Sequence, residues 1–355
     1  MPELSSRISG RRVVKESGMG FLSSMPRTHN PQPSPCGIIA VHMEREETLT
    51  PAPPQVSVLM VSYNSAEPLR RCLASLERST DREKFEVLVV DSGSQDESPH
   101  LDAEFPNTTY LRLPRNFGLT KALNIGMRTA KGEFILFLDP NMEVFPDTVS
   151  SLGAKLAAQA EAVAVCPLLV TPEGKPAPEV YALPDRAAIG AALRAGDWQP
   201  GSALDLGAES VPIQLHSLTG LMVRSYFLRG LRYIDQRYGN SWIEAEICFQ
   251  ILRASRKILL LPGIRAVRHP DSARVFPDAA GIEALLAADW VLGAVRYATK
   301  RFGFAAGLKM RVAAVFSALG QALLALLRMR EVGYHFCRVG YLVSGQKLDG
   351  TQKGM

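Results

Sequence analysis

Four short patterns carry residues that can do chemistry. In DSGSQD (91–96), an apolar run ends on Asp91, turns at Gly93 and reaches a second carboxylate, Asp96. A carboxylate at a strand end can accept from base or ribose groups, and a glycine lets backbone approach a ligand closely. In NFGLTKALNIG (116–126), Asn116 and Gly118 stand where a helix begins, with Asn124 inside it. Helix starts present free N–H groups to anions, and a mid-helix amide is not there for propensity. In ILFLDPNMEV (135–144), an apolar run stops at Asp139, Pro140 and Asn141. A carboxylate and an amide oxygen are hard ligands that suit Mg²⁺ or Mn²⁺ beside a diphosphate. Last come Glu244 and Glu246 in one helical pattern, followed by His269. Two glutamates two residues apart face different sides of a helix, so at most one can meet a site squarely.

Taken singly, each pattern also has a plain structural reading. The first and third are ordinary turn chemistry, the second a helix start with a tolerated Asn, and the fourth a solvated helix with a structural His.

The elements that must hold these residues are legible as well. VSVLMVSY (56–63) and FEVLVVD (85–91) are continuous apolar runs of strand length, and TTYLRL (108–113) and FILFLD (134–139) follow the same form. Helical patterns separate them at 68–76, at 119–129 and after Pro146. Alternation of buried strands with helices implies an α/β fold whose mostly parallel sheet is covered on both faces, with ligands at the carboxyl ends of its strands. Residues 171–215 are rich in Ala, Pro and Gly and read as a connection. Beyond it, 217–231 reads as a strand and a helix, 241–255 as an amphipathic helix and 257–263 as a buried strand.

Composition bounds the rest. The 355 residues include five cysteines with no C-x-x-C pair, against a disulfide framework and for a reducing compartment. No apolar stretch in the first 30 residues has the length of a secretory signal. Residues 1–54 read as a disordered leader. The net charge of +5 is uneven: residues 51–295 hold 24 basic and 28 acidic groups, whereas 296–355 hold 10 and 2. A basic tail on a mildly acidic body points to surface docking, not to nucleic acid. Residues 312–327, VAAVFSALGQALLALL, are nearly all apolar, with Lys309, Arg311, Arg328 and Arg330 at their flanks. Sixteen residues fall short of the ~20 needed to span a bilayer, so an interfacial helix is expected. A buried helix or a homodimer contact is the competing reading. No G-x-G-x-x-G follows the first strand, so a dinucleotide-dependent dehydrogenase is not indicated.

In order and spacing, the motifs over about 56–275 resemble the family-2 glycosyltransferases, nearest their rhamnosyltransferase-like branch. The resemblance implies a GT-A fold over 55–275, followed by a helical, basic tail over 276–355. It implies a nucleoside-diphosphate sugar donor of the dTDP-rhamnose or UDP type, held by Ser62, Asp91, Gly93, Asp96, Asn116, Gly118 and Asn124. It implies a divalent metal at Asp139, Asn141 and His269, and Glu244 as the base of an inverting transfer. The acceptor would be a glycan or lipid-linked glycan of the cell surface, reached from the cytoplasmic face of the membrane. Two departures qualify this. Asn141 stands where the family carries a metal-binding Asp, which lowers metal affinity. Ile243, Glu244, Ala245 and Glu246 stand where it carries E-D-x-D, so the base is one methylene longer. The alternative is a catalytically degenerate protein that keeps the fold as a nucleotide-sugar binding or scaffolding module.

Overall fold

The computed structural model describes residues 54–195, 204–270 and 279–346; the expected leader and the boundary expected near 275 lie outside them.

Among the described residues, nine strands form the main sheet, in the order Thr108–Arg112, Phe85–Asp91, Val56–Ser62, Phe134–Phe137, Met222–Arg224, Ala162–Val170, Lys257–Arg268 and Met142–Val144, with Val211–Ile213 beside Lys257–Arg268. The first half is the alternation expected from sequence: β1 (Val56–Ser62), α1 (Ala66–Glu77), β2 (Phe85–Asp91), β3 (Thr108–Arg112), α2 (Leu119–Thr129) and β4 (Phe134–Phe137). Here β1 pairs in parallel with both β2 and β4, and β2 with β3. Successive residues of β1 and β2 enter opposite cores. Val58, Met60, Val87 and Val89 face α1 and α3 (Thr148–Ala158), whereas Leu59, Leu88 and Val90 face α2. Both faces are covered, which is why these strands read as apolar runs, broken only by Ser57 and Glu86 near their starts.

The second half is mixed rather than mostly parallel. After β5 (Met142–Val144), α3 and β6 (Ala162–Val170), the 171–215 connection contains β7 (Val180–Tyr181), α4 (Arg186–Ala195) and β8 (Val211–Ile213), and runs into β9 (Leu215–His216). β7 and β9 form a separate two-stranded ribbon. The chain then returns as β10 (Met222–Arg224), antiparallel to both β4 and β6. α5 (Ser225–Gly230) and α6 (Ile243–Arg253) follow, and β11 (Lys257–Arg268) runs parallel to β6 and antiparallel to β5 and β8.

Three helices close the described chain: α7 (Ala279–Phe302), α8 (Phe304–Arg328) and α9 (Val332–Ser344). Trp242, at the start of α6, meets Trp290 and Tyr297 of α7 at 5.4 Å between ring centroids. The tail is thus built onto the same core that holds α6. Among the described residues, Cys72, Cys166 and Cys248 are buried free thiols and Cys337 is an exposed one.

Candidate active site

The carboxyl ends of β1, β2 and β4 form one rim. Register places Ser62 beside Asp91, and the Ser92 N–H donates to the Ser62 carbonyl at 2.8 Å. The Ser62 hydroxyl lies 2.9 Å from that of Ser65. Asp91 is 2% exposed. Its Oδ2 accepts from the backbone N–H groups of Gly93 at 3.2 Å and Ser94 at 3.0 Å, while its Oδ1 is buried with no partner. Gly93 has φ +77, and a Cβ there would lie 2.6 Å from the Arg115 backbone, so only glycine allows this turn. A buried carboxylate oxygen left unmatched calls for a donor from outside the protein.

Burial pushes the Asp91 carboxyl above its ordinary 3.8, against the opposing pull of its bonds to Ser94 and Gly93. Two consequences follow from the sign. Stability of the ligand-free protein falls as pH rises between 3.8 and the raised value, because the unfolded chain gives up that proton first. Affinity for a ligand that donates to Asp91 falls as pH is lowered through the raised value, earlier than for an ordinary Asp. Asp91→Asn is expected to weaken binding of a ligand that donates to this carboxylate by about 10–100-fold, the worth of a charge-assisted bond. Titration calorimetry at several pH values checks both statements.

Asp96 has another role. Its Oδ2 accepts from the Ala66 N–H at 2.9 Å and its Oδ1 from the Ser98 N–H at 3.0 Å. It fastens the 92–98 loop to the start of α1, so both of its oxygens are taken up by backbone.

The 116–126 stretch is also arranged differently from expectation. Gly118 caps α2 with φ +85. Asn116 Oδ1 accepts from the Gly118 N–H at 3.0 Å and from the Ser92 hydroxyl at 3.4 Å, tying this turn to the Asp91 loop. The N–H groups expected to face a ligand are taken, however. Leu119 donates to Asn240 Oδ1 at 2.7 Å, and Thr120 donates to the Gly239 carbonyl at 3.1 Å. Asn124 is buried and bridges to Ile234, donating to its carbonyl at 2.8 Å and accepting from its N–H at 3.0 Å. Its amide joins two chain segments and is not presented to the rim.

Asp139 and Glu244 do come together. They line one cavity of about 210 Å³ with Leu119, Leu123, Phe137 and Thr219. Glu244 stands in the first turn of α6 and reaches this cavity. Glu246 turns inward instead, accepting from the Tyr238 hydroxyl at 3.0 Å and pairing with Lys300 at 2.6 Å. One glutamate at the site and one in the frame is the division that helical geometry requires.

The three residues expected to hold a metal do not converge. Asn141 turns its amide N–H toward Asp139 Oδ1 at 2.9 Å, and its backbone N–H donates to the same oxygen. His269 Nε2 lies 2.9 Å from Glu143 Oε1, which also pairs with Arg71 at 3.2 Å. The His269 backbone N–H donates to the Asn141 carbonyl at 2.9 Å, so the loop is adjacent although the ring is engaged elsewhere. Among the described residues, no three His, Cys, Asp or Glu side chains cluster as metal ligands do. A cationic side chain stands there instead. Arg268 Nη1 lies 3.9 Å from Asp139 Oδ1 and donates to the His269 carbonyl at 2.7 Å, while its Nε pairs with Glu179 at 3.2 Å. The donor set does not fit a divalent ion in this arrangement.

Sequence reading missed Arg268, Glu179 and Asn240. Arg268 lies opposite Met142 in the antiparallel β11–β5 ladder, a pairing no local pattern announces. Its adjacency to His269 was the one available signal.

With this geometry in place, comparison with known proteins is informative. Residues 57–196 match the model of glycosyl transferase family 2. The matched stretch runs from the second residue of β1 through α4 and includes Ser62, Asp91 and Asp139; Glu244 and His269 lie beyond it. Among curated relatives, the Bacillus subtilis protein EpsH is 36% identical over 97 residues, covering 26% of this chain and 28% of that protein. An N-acetylglucosaminyltransferase of Sinorhizobium fredii is 29% identical over 120 residues, covering 32% and 29%. Glycosyltransferase AglE of Haloferax volcanii is 36% identical over 121 residues, covering 30% and 40%. The chain thus spans 28–40% of the length of these relatives. A crystal structure of GalNAc-T7 with UDP, GalNAc and Mn²⁺ shares the fold at a TM-score of 0.51 and 16% identity, over 70% of this chain and 48% of that one.

Proposed function

We propose that the chain is an inverting glycosyltransferase that moves a sugar from a nucleoside-diphosphate donor, of the dTDP-rhamnose or UDP-sugar type, to a glycan or lipid-linked acceptor. The observation that carries this reading is the meeting of Glu244 and Asp139 in one cavity on the strand-end rim that also bears the unmatched Asp91 oxygen. The family-2 segment and the glycosyltransferase relatives support it.

The donor's base is selected at Asp91. Uracil and thymine each present a ring N–H that a carboxylate accepts; cytosine lacks that proton and offers a lone pair. The acceptor hydroxyl enters the cavity beside Glu244. As its oxygen bonds to the anomeric carbon, the bond from that carbon to the diphosphate oxygen breaks with its electron pair, and Glu244 takes the hydroxyl proton. The leaving diphosphate carries the developing charge, and Arg268 is the cationic side chain beside Asp139 positioned to offset it.

The test is a panel of dTDP-, UDP-, GDP- and CDP-sugars with the purified full chain. UDP or dTDP donors are expected to bind at least about tenfold more tightly than CDP donors, a difference of ~1.4 kcal/mol. Chelation by EDTA is expected to change affinity by less than about tenfold, whereas Arg268→Ala weakens it further. Folded protein that binds and hydrolyses none of the panel overturns the enzyme reading. Binding without transfer to any acceptor favours the scaffolding alternative, which the unassembled metal site would suit.

A further inference from the structure

Among the described residues, helix α8 exposes long apolar side chains in a row. Phe304, Leu308, Phe316, Leu323 and Leu327 follow one another at helical spacing, and Phe316 and Leu327 are 69% and 73% exposed. The opposite face is made of small residues, Gly307, Ala318, Ala322 and Ala325, which are buried in the bundle. A Cβ at Gly307 would lie 1.9 Å from Thr299 Oγ1 of α7, so α8 is seated closely on its neighbour. Small residues inward and large ones outward reverse the usual order for a solvated helix. An apolar face this long needs a partner.

We propose that α8 docks on an anionic bilayer, lying in the plane of the interface with its outer row in the headgroup–acyl boundary. Charge identifies the partner: residues 296–355 hold 10 Lys and Arg against 2 acidic groups, and the exposed Lys309 lies within the row while the exposed Arg328 and Arg330 lie just past its end. Basic groups beside an apolar face match anionic lipid, where each adds attraction.

By length and composition α8 is also sufficient to cross a membrane. Its attachments argue for lying flat. Asp289 of α7 is buried and accepts from the Asn240 N–H at 2.7 Å and the Ser241 hydroxyl at 3.2 Å, which pins α7 to the segment leading into α6. Arg311 of α8 donates to the carbonyls of Leu342 and Val343 at the end of α9. Crossing would pull α8 out of this bundle, and the stretch free of charge, 312–327, is only sixteen residues, ~24 Å of helix against the ~30 Å hydrocarbon core.

The test uses the full chain with vesicles of phosphatidylcholine alone or with 30% phosphatidylglycerol, without donor or acceptor, so its outcome does not depend on sugar transfer. The 30% is a chosen composition of about physiological anionic content. Wild type is expected to sediment with the anionic vesicles and to be released by high salt. The double variant Phe316→Glu and Leu323→Glu is expected to bind at least about tenfold more weakly, with its melting temperature and nucleotide affinity unchanged because both side chains are exposed. Equal binding by the variant overturns the proposal. So does wild type that ignores both vesicles, including the case in which light scattering shows a dimer that the double variant abolishes.

Discussion

Replacing Glu244 by glutamine is expected to lower turnover by about 10²–10⁴-fold, the usual contribution of a positioned general base, while nucleotide affinity stays at the wild-type level. An amide has the same reach and nearly the same shape, but it cannot take the acceptor proton. The frame around it is unaffected, since Ile243, Ile247 and Cys248 bury α6 against the core and keep its first turn at the cavity. Glu244→Asp should lose about 10²-fold even though the carboxylate is retained, because a displacement of about 1 Å is costly in a positioned site. Glu246 supplies the contrast. Glu246→Gln removes the charge that meets Lys300 at 2.6 Å and should lower the melting temperature without abolishing transfer. Single-turnover kinetics, nucleotide calorimetry and thermal melts on the three variants separate these outcomes. If Glu244→Gln turns over at the wild-type rate, the base lies elsewhere.

The contrast between the two glutamates also shows what the sequence made legible. The strands β1 and β2 were readable because both faces are covered, so that only Ser57 and Glu86, which hydrogen-bond to each other near the strand starts, interrupt the apolar residues before Ser62 and Asp91. Asp91 was readable for the converse reason, a carboxylate directly after four buried residues in β2. Local spacing shows that a polar residue in an apolar setting has a task, and it is silent on the partner. Asp96, Asn124 and the first N–H groups of α2 stood out as polar groups with work to do, yet their partners are groups of the protein itself: backbone for Asp96, Asn124 and Thr120, and the Asn240 side chain for Leu119. Leu119 meets Asn240 across 121 positions of sequence. The antiparallel entry of β10 and the pairing that sets Arg268 beside Asp139 depend on the path of the 171–215 excursion. No periodicity within one element encodes that path.

Asn124 offers the clearest test of this distinction, because its two roles predict opposite results. Asn124→Leu fills a similar volume but leaves the Ile234 N–H and carbonyl buried without partners, at roughly 1–3 kcal/mol each. A loss near 3 kcal/mol corresponds to a melting temperature lower by about 6–12 °C for a domain of this size. The cost is concentrated because the bridge holds a turn that needs holding. Arg232 and Tyr233, just before Ile234, have φ of 57 and 68, conformations that side chains with a Cβ adopt only under constraint. Beyond Ile234 the same segment reaches Gly239 and Asn240, which meet the first turn of α2 and the buried Asp289. Releasing Ile234 therefore loosens α2 at two points, and nucleotide binding should fall only to the extent that the folded population falls. Measured well below the melting transition, affinity is expected to match wild type. A variant that melts at the wild-type temperature and binds nucleotide weakly would return Asn124 to the donor site.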